Sequence, residues 1–184
     1  MPDWVYELVE AFAAAVGNMS LLDALALAVL GTIVVPVVVL IHETGHALAA
    51  FALRRPVAEL TVGNDEPVLV VRIGAFQLRL GAITDVGGLA GFVLLEGAHA
   101  RPRDMLAIAL AGPLASLAGA LITFAVAVWA WPELWLSLLF GLATLGGLVL
   151  GVGNLRRHGD GPETWSDGVW VRAAWRAMRE APAA

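Results

Sequence analysis

Two histidines and a glutamate have a spacing that could hold a metal ion and carry out hydrolysis. They lie in the run His42-Glu43-Thr44-Gly45-His46. Residues four apart on a helix project from one face, so both imidazoles can bind one Zn²⁺ per chain. Zinc would activate water near neutral pH, and the glutamate beside the histidines could act as the general base. A chance match to this pattern has a probability of roughly 0.5%, so the run predicts a catalytic zinc centre.

The composition indicates that a membrane helix carries this run. Of the residues, 59% are hydrophobic and only 15% are charged, whereas soluble domains average about 25% charged residues. We therefore predict a mainly α, multi-pass membrane helical bundle that forms a single domain over residues 1–184. The three predicted spanning helices are residues 20–53, 104–131 and 134–153. His42 then lies roughly 33 Å along the first span, near the edge of the hydrocarbon, where ionisable groups are costly and usually functional.

A hydrophilic insertion, residues 54–103, separates the first two spans and predicts a small β structure. Three apolar runs in it have strand character, namely residues 57–62, 68–73 and 76–83. From Phe76 to Leu80 apolar and polar residues alternate, which is the period of a half-buried strand. We expect a small β-hairpin or short sheet here.

Both ends of the chain predict amphipathic helices at the membrane interface. Residues 1–19 place apolar and acidic side chains on opposite faces of a helix that is too short to span a bilayer. The tail, residues 154–184, predicts a second helix with Arg172, Arg176 and Arg179 on one face. We expect this arginine face to anchor on anionic lipid in preference to a protein partner.

Charge predicts how the bundle is oriented. All 11 basic residues are arginines that follow residue 53, in the insertion and in the tail. The positive-inside rule then places the amino terminus and the loop at Glu133 outside, and the insertion and the carboxy terminus in the cytoplasm. Three spans are consistent with this arrangement. We expect a multi-pass protein of the plasma membrane, with the metal site at the cytoplasmic end.

A catalytic zinc needs a third protein ligand, so that the fourth position is left for water. The chain has no cysteine, which restricts the ligand to histidine, aspartate or glutamate. The candidates on the predicted cytoplasmic side are Asp167, Asp160, His158 and His99. Spacing alone does not choose among them.

Three segments resemble the site-2 protease family of intramembrane zinc metalloproteases. They are HETGHALAA at 42–50, AGPLASLAGAL at 111–121 and GNLRRHGDGPETWSDG at 153–168. In that family one helix carries HExxH and the next carries a glycine-proline motif. The third helix ends in an Asn-rich turn, and an Asp-Gly pair follows whose aspartate is the third zinc ligand. The resemblance covers about residues 20–175.

The resemblance implies a role for each matching residue. His42, His46 and Asp167 would be the zinc ligands, and Glu43 would be the catalytic base. Asn154 would orient the substrate or stabilise the oxyanion. A second Asp-Gly pair begins at Asp160. We favour the later pair because a predicted helix resumes directly after it, as is usual in the family.

Two positions depart from the family pattern. Ser116 stands where the glycine-proline motif expects asparagine, and Arg157 stands where the Asn-rich turn expects proline. The first departure concerns a polar contact from position 116, and the second concerns the turn after the third span. Neither affects the histidine pair.

The implied function is that of a zinc endopeptidase. It would cleave membrane-embedded or membrane-proximal segments of a membrane protein substrate, on the cytoplasmic side. The predicted strands could hold an unwound substrate as an added strand or merely plug the bundle. The partners are then the substrate and the lipid bilayer, without nucleic acid or nucleotide. One alternative is a non-proteolytic membrane binding or regulatory protein of the same fold with a structural zinc. The other is a metal-handling membrane protein, although its outer half offers no evident ligands.

Overall fold

A computed structural model describes residues 6, 10, 13, 14, 17–83, 91–95, 101–131, 133–156 and 166–180. The helices within these ranges are α1 (Leu21–Ala52), α2 (Pro102–Trp129), α3 (Leu134–Gly153) and α4 (Asp167–Glu180). The strands are β1 (Val57–Val62), β2 (Pro67–Ile73), β3 (Phe76–Gly81) and β4 (Gly91–Leu95). The mainly helical fold with a small sheet is as predicted. The amphipathic helix predicted for residues 1–19 falls largely outside the described residues.

Helix α1 carries the histidine pair and is the longest helix described. The Ser20 hydroxyl caps its amino terminus by accepting a hydrogen bond from Asp23 N at 3.1 Å. The helix ends where Arg54 adopts a positive φ of 56°, just before Pro56. Its 32 residues span roughly 48 Å, whereas the hydrocarbon core of a bilayer is about 30 Å thick. Helix α1 is therefore longer than a perpendicular crossing of the hydrocarbon requires.

Helices α1, α2 and α3 are each long and apolar enough to cross a membrane, as predicted. They pack against one another, and the α2–α3 contact is especially close. A Cβ at Gly147 would lie 2.9 Å from the Ser116 carbonyl oxygen, so a larger residue would push α3 away. Farther along the same contact, Thr123 Oγ1 and Thr144 Oγ1 are hydrogen-bonded at 2.9 Å. The three helices thus form a tight bundle.

The insertion forms a four-stranded sheet in the order β2-β3-β1-β4. Strands β1 and β3 are parallel, and the pairs β1/β4 and β2/β3 are antiparallel. Leu60 and Val62 of β1 face α1 and pack with Val39 and Ala47 in a buried apolar cluster. The first three strands match the predicted runs, although β3 ends at Gly81 instead of residue 83. Strand β4 was not predicted, because five residues are too short for a clear period of two.

Helix α4 follows residues 157–165, which lie outside the described residues, and packs against α2. Its first turn is tied to the end of α3, because Gly168 N donates to the Asn154 carbonyl oxygen at 2.8 Å. The Ser166 hydroxyl, on the residue just before α4, donates to the Arg156 carbonyl oxygen. These contacts bring the start of α4 to the end of α1 that carries the histidines.

Candidate metal centre

Helix α1 buries the histidine pair and Glu43 inside the bundle. His42, Glu43 and His46 are 2%, 6% and 8% exposed. The spacing of four residues puts both imidazoles on one face, where their Nε2 atoms lie 3.3 Å apart. Three ionisable side chains within five residues of an apolar helix need compensation, and a cation held by the two imidazoles would provide it.

Asp167 comes to the same point from α4. Its Oδ2 lies 2.9 Å from His42 Nε2, and its Oδ1 lies 3.2 Å from His46 Nε2. The ligand atoms of the three residues all lie within 4.8 Å of one another. Two imidazole nitrogens and one carboxylate oxygen are a donor set that suits catalytic zinc and leaves a fourth position open. The three residues therefore fit the metal that the motif predicts.

The Asp167 carboxylate stays ionised at neutral pH. Burial raises the pKa of this carboxyl. Hydrogen bonds from His42 and His46 and their charge lower the pKa by more, so that it is about 2. The position of Asp167 in the first turn of α4 adds to this effect, because the helix macrodipole favours a negative charge there. An ionised carboxylate is the form that binds a metal.

Contacts from α2 hold both imidazole rings in the orientation that a metal requires. His46 Nδ1 donates to the Ile108 carbonyl oxygen at 2.7 Å, which directs its Nε2 toward Asp167. His42 Nδ1 and Ser116 Oγ are hydrogen-bonded at 2.8 Å, both buried. The serine thus supplies a polar contact at the position where the family pattern expects asparagine. Such outer contacts fix the tautomer and the direction of a ligating histidine.

Gly112, in the glycine-proline motif of α2, makes room for the His46 ring. A Cβ at this position would lie 2.7 Å from His46 Cδ2 and closer still to Nε2. Carbon atoms in contact are normally about 3.5–4.0 Å apart, so only glycine fits while the ring keeps its place. The glycine of this motif therefore leaves the space that the His46 ring occupies.

Glu43 and Asn154 lie beside the proposed metal position. Asn154 Nδ2, at the end of α3, is 3.0 Å from His42 Nε2. Glu43 adjoins the start of β4, since a Cβ at Gly91 would lie 2.9 Å from Glu43 Oε1. The amide of Asn154 thus contacts the histidine pair, and the buried carboxylate of Glu43 contacts the start of a strand.

Comparison with known families gives this geometry a context. A family model, Peptidase family M50, matches residues 30–174, which is most of the chain. The chain belongs to Peptidase family M50. This is the site-2 protease family, so the predicted resemblance is confirmed. The M50 family consists of membrane-embedded zinc metallopeptidases and includes some inactive members. No curated protein matches the chain.

Membership of Peptidase family M50, together with the three apolar helices, makes the chain an integral membrane protein. Among the described residues, His42, His46 and Asp167 are the one group of three side chains that could hold a metal ion. The alternative third ligands Asp160, His158 and His99 lie outside the described residues, as does Arg157.

The sequence did not indicate two neighbours of the candidate metal centre. The Ile108 carbonyl that fixes His46 is a backbone group, so no residue type indicates it. Gly91 lies against Glu43, and a glycine just before the apolar run Phe92-Val93-Leu94-Leu95 was the available signal for a strand start.

Proposed function

We propose that the chain is an intramembrane zinc endopeptidase that cleaves membrane-embedded or membrane-proximal segments of other proteins. The observation that carries the proposal is the convergence of His42, His46 and Asp167 within 4.8 Å, beside the buried carboxylate of Glu43. A structural zinc site is usually closed by four protein ligands. The three ligands proposed here would leave one position for substrate chemistry.

Each residue of the site has a proposed task in peptide hydrolysis. Zn²⁺ held by the two histidines and Asp167 would supply Lewis-acid chemistry, which polarises a carbonyl and makes water acidic. The Glu43 carboxylate takes a proton from the attacking water and then donates it to the leaving amine. The Asn154 amide donates a hydrogen bond to the substrate carbonyl oxygen and so stabilises the negative charge that develops there.

The outer edge of β4 is the proposed docking place for the substrate backbone. A peptide bond in a regular helix is sheltered, so a substrate must unwind before it is cut. Strand β4 is an edge of the sheet, and its first residue adjoins Glu43. An unwound segment added to this edge would gain backbone hydrogen bonds and run toward the site.

We propose that the metal centre faces the cytoplasm. Helices α1, α2 and α3 have exposed arginines near this end of the bundle, among them Arg54, Arg101 and Arg156. A cytoplasmic position for this end follows from the positive-inside rule. Because the chain has no cysteine, Ala177→Cys and Glu133→Cys variants can report the side of each end. In intact cells, an impermeant maleimide should label only the second, and the reverse pattern would invert the proposed orientation.

The decisive experiment for proteolysis is the Glu43→Gln substitution. It keeps the size and the burial of the side chain and removes its capacity to take a proton. We expect processing of a co-expressed membrane substrate to fall by a factor of roughly 100 or more, while zinc stays bound. Glu133→Gln, in the exposed turn before α3, is the matched control and should process normally. Unchanged processing by Glu43→Gln would instead favour a non-proteolytic protein with a structural zinc.

Disulfide cross-linking tests the docking of substrate on β4. Phe92 and Leu94 are 38% and 53% exposed, so a cysteine at either position can reach an added strand. In an inactive Glu43→Gln background, we expect Phe92→Cys and Leu94→Cys to cross-link to substrate cysteines two residues apart. Val68→Cys, on the opposite sheet edge, is the control. Equal cross-linking from both edges would contradict docking on β4.

A further inference from the structure

Helix α4 joins the metal centre to a charged surface. It begins at Asp167, and its arginine face consists of Arg172, Arg176 and Arg179. The spacings of four and three residues put these side chains on one side of the helix, and all three are exposed. Trp175, between them, is 56% exposed, whereas Ala174 is buried against the bundle.

The arginine face has no carboxylate partner within the part of the chain that the structure describes. The arginine ion pairs found there are Arg55 with Asp104 and Arg79 with Glu59, which lie on other elements. Arg172 Nε donates to the Gly168 carbonyl oxygen at 3.1 Å, a contact within α4 itself. Three cations on one face are thus available to an external anion.

The position of α4 along the bundle matches the phospholipid headgroups. The headgroup region begins at the edge of the hydrocarbon, roughly where His42 lies on α1, and is about 5–8 Å thick on each side. Asp167 is within hydrogen-bonding distance of His42. The Cα of Arg172 follows it by five residues and so lies within roughly 8 Å of the same level, whatever the tilt of α4. Arginines and an exposed tryptophan at this depth are typical of interfacial helices.

We propose that the arginine face of α4 binds anionic phospholipid headgroups at the metal end of the bundle, and that this contact holds Asp167 against His42 and His46. The metal part of the inference rests on the proposed function. The lipid part does not, because it depends only on charge and exposure.

The coupling follows from how α4 is attached. Hydrogen bonds from Ser166 and Gly168 to the end of α3 hold its first turn, and the rest of α4 packs on α2. Headgroups that hold the outer face would press the same helix against the bundle. Because Asp167 is the first residue of that stiff helix, a tilt of α4 moves its carboxylate. Zinc ligand distances tolerate only about 0.2 Å. The three arginines are therefore proposed as positioning residues for the third ligand.

The experiment uses the full chain in vesicles of phosphatidylcholine, with or without about one third phosphatidylglycerol. A fluorophore on the Ala177→Cys variant reports the exposure of α4 to iodide. In the same vesicles, a competing chelator measures how tightly zinc is held. One arginine at an anionic surface strengthens attraction roughly fivefold. We expect phosphatidylglycerol to reduce iodide quenching and to raise the chelator concentration that removes half of the zinc at least about fivefold.

Substitutions on the arginine face separate charge from folding. Replacing all three arginines by glutamine should abolish both effects of phosphatidylglycerol, and replacing all three by lysine should preserve them. Arg54→Gln, Arg72→Gln and Arg101→Gln together form the control, which removes equal charge from other elements.

Each outcome decides one part of the proposal. A label that iodide reaches equally in both vesicles overturns the lipid contact and leaves the face to a protein partner. Shielding of the label without any change in zinc retention overturns the coupling to Asp167. If the chain holds no zinc in either lipid, the proposed function fails, while the quenching still decides the lipid contact.

Discussion

Replacing Gly112 by alanine should expel zinc without unfolding the protein. The new Cβ would lie 2.7 Å from His46 Cδ2, whereas contacting carbons need about 3.5–4.0 Å, so the ring must move by roughly 1 Å. Zinc ligand distances tolerate only about 0.2 Å. Since disturbing an outer contact alone weakens metal binding roughly 10–100-fold, displacing a ligand should weaken it by about 100-fold or more.

The same substitution has a modest expected effect on folding. Overpacking lowers the free energy of unfolding by about 1–3 kcal/mol, and replacing a helical glycine by alanine raises it by about 1 kcal/mol through helix propensity. Gly119→Ala, two turns further along α2, is the matched control. Its Cβ would meet Ile41 Cγ2 at 3.4 Å, an ordinary contact.

The assay compares zinc bound per chain under a series of chelator concentrations, with circular dichroism as the test of helix content. Gly112→Ala should lose zinc while its helix content stays at the wild-type level, and Gly119→Ala should match the wild type in both. A folded Gly112→Ala protein that holds zinc with wild-type affinity would refute the placement of His46 against α2.

Four further substitutions probe the surroundings of the site. Ser116→Ala removes the hydrogen bond to His42 and should weaken zinc binding roughly 10–100-fold in the chelator assay, a result that an unaltered affinity would contradict. Asp167→Asn should lose zinc in the same assay, whereas Asp160→Asn should keep it; the opposite result would make Asp160 the third ligand. Gly91→Val fills space beside the Glu43 carboxylate and should slow substrate processing while zinc stays bound, and normal processing would show that this space is not needed.

The sequence predicted the parts of the molecule that depend on local signals. Continuous apolar segments predicted the three long helices, and the four-residue spacing of His42 and His46 put both rings on one face. Alternation predicted the strand at Phe76. These patterns need only neighbouring residues, so folding does not alter their meaning.

The third ligand could not be chosen from local patterns, because it depends on a contact across the fold. Asp167 is 125 residues from His42, and three other side chains were equally acceptable by type. The family pattern favoured Asp167, and the folded chain brings it to the histidine pair. The role of Ser116 was also hidden, since a serine in an apolar helix has no distinctive spacing. Its contact with His42 exists only once α2 packs on α1.

The separation between His42 and Asp167 has a consequence for synthesis of the chain. The ribosome completes α1 long before it reaches α4, so the histidine pair enters the membrane while Asp167, the proposed third ligand, does not yet exist. Hydrolysis would require that α2 and α3 be inserted and that α4 then dock beside them. With this order of elements, the proposed protease would be latent during synthesis and would not cut neighbouring proteins before its own bundle has assembled.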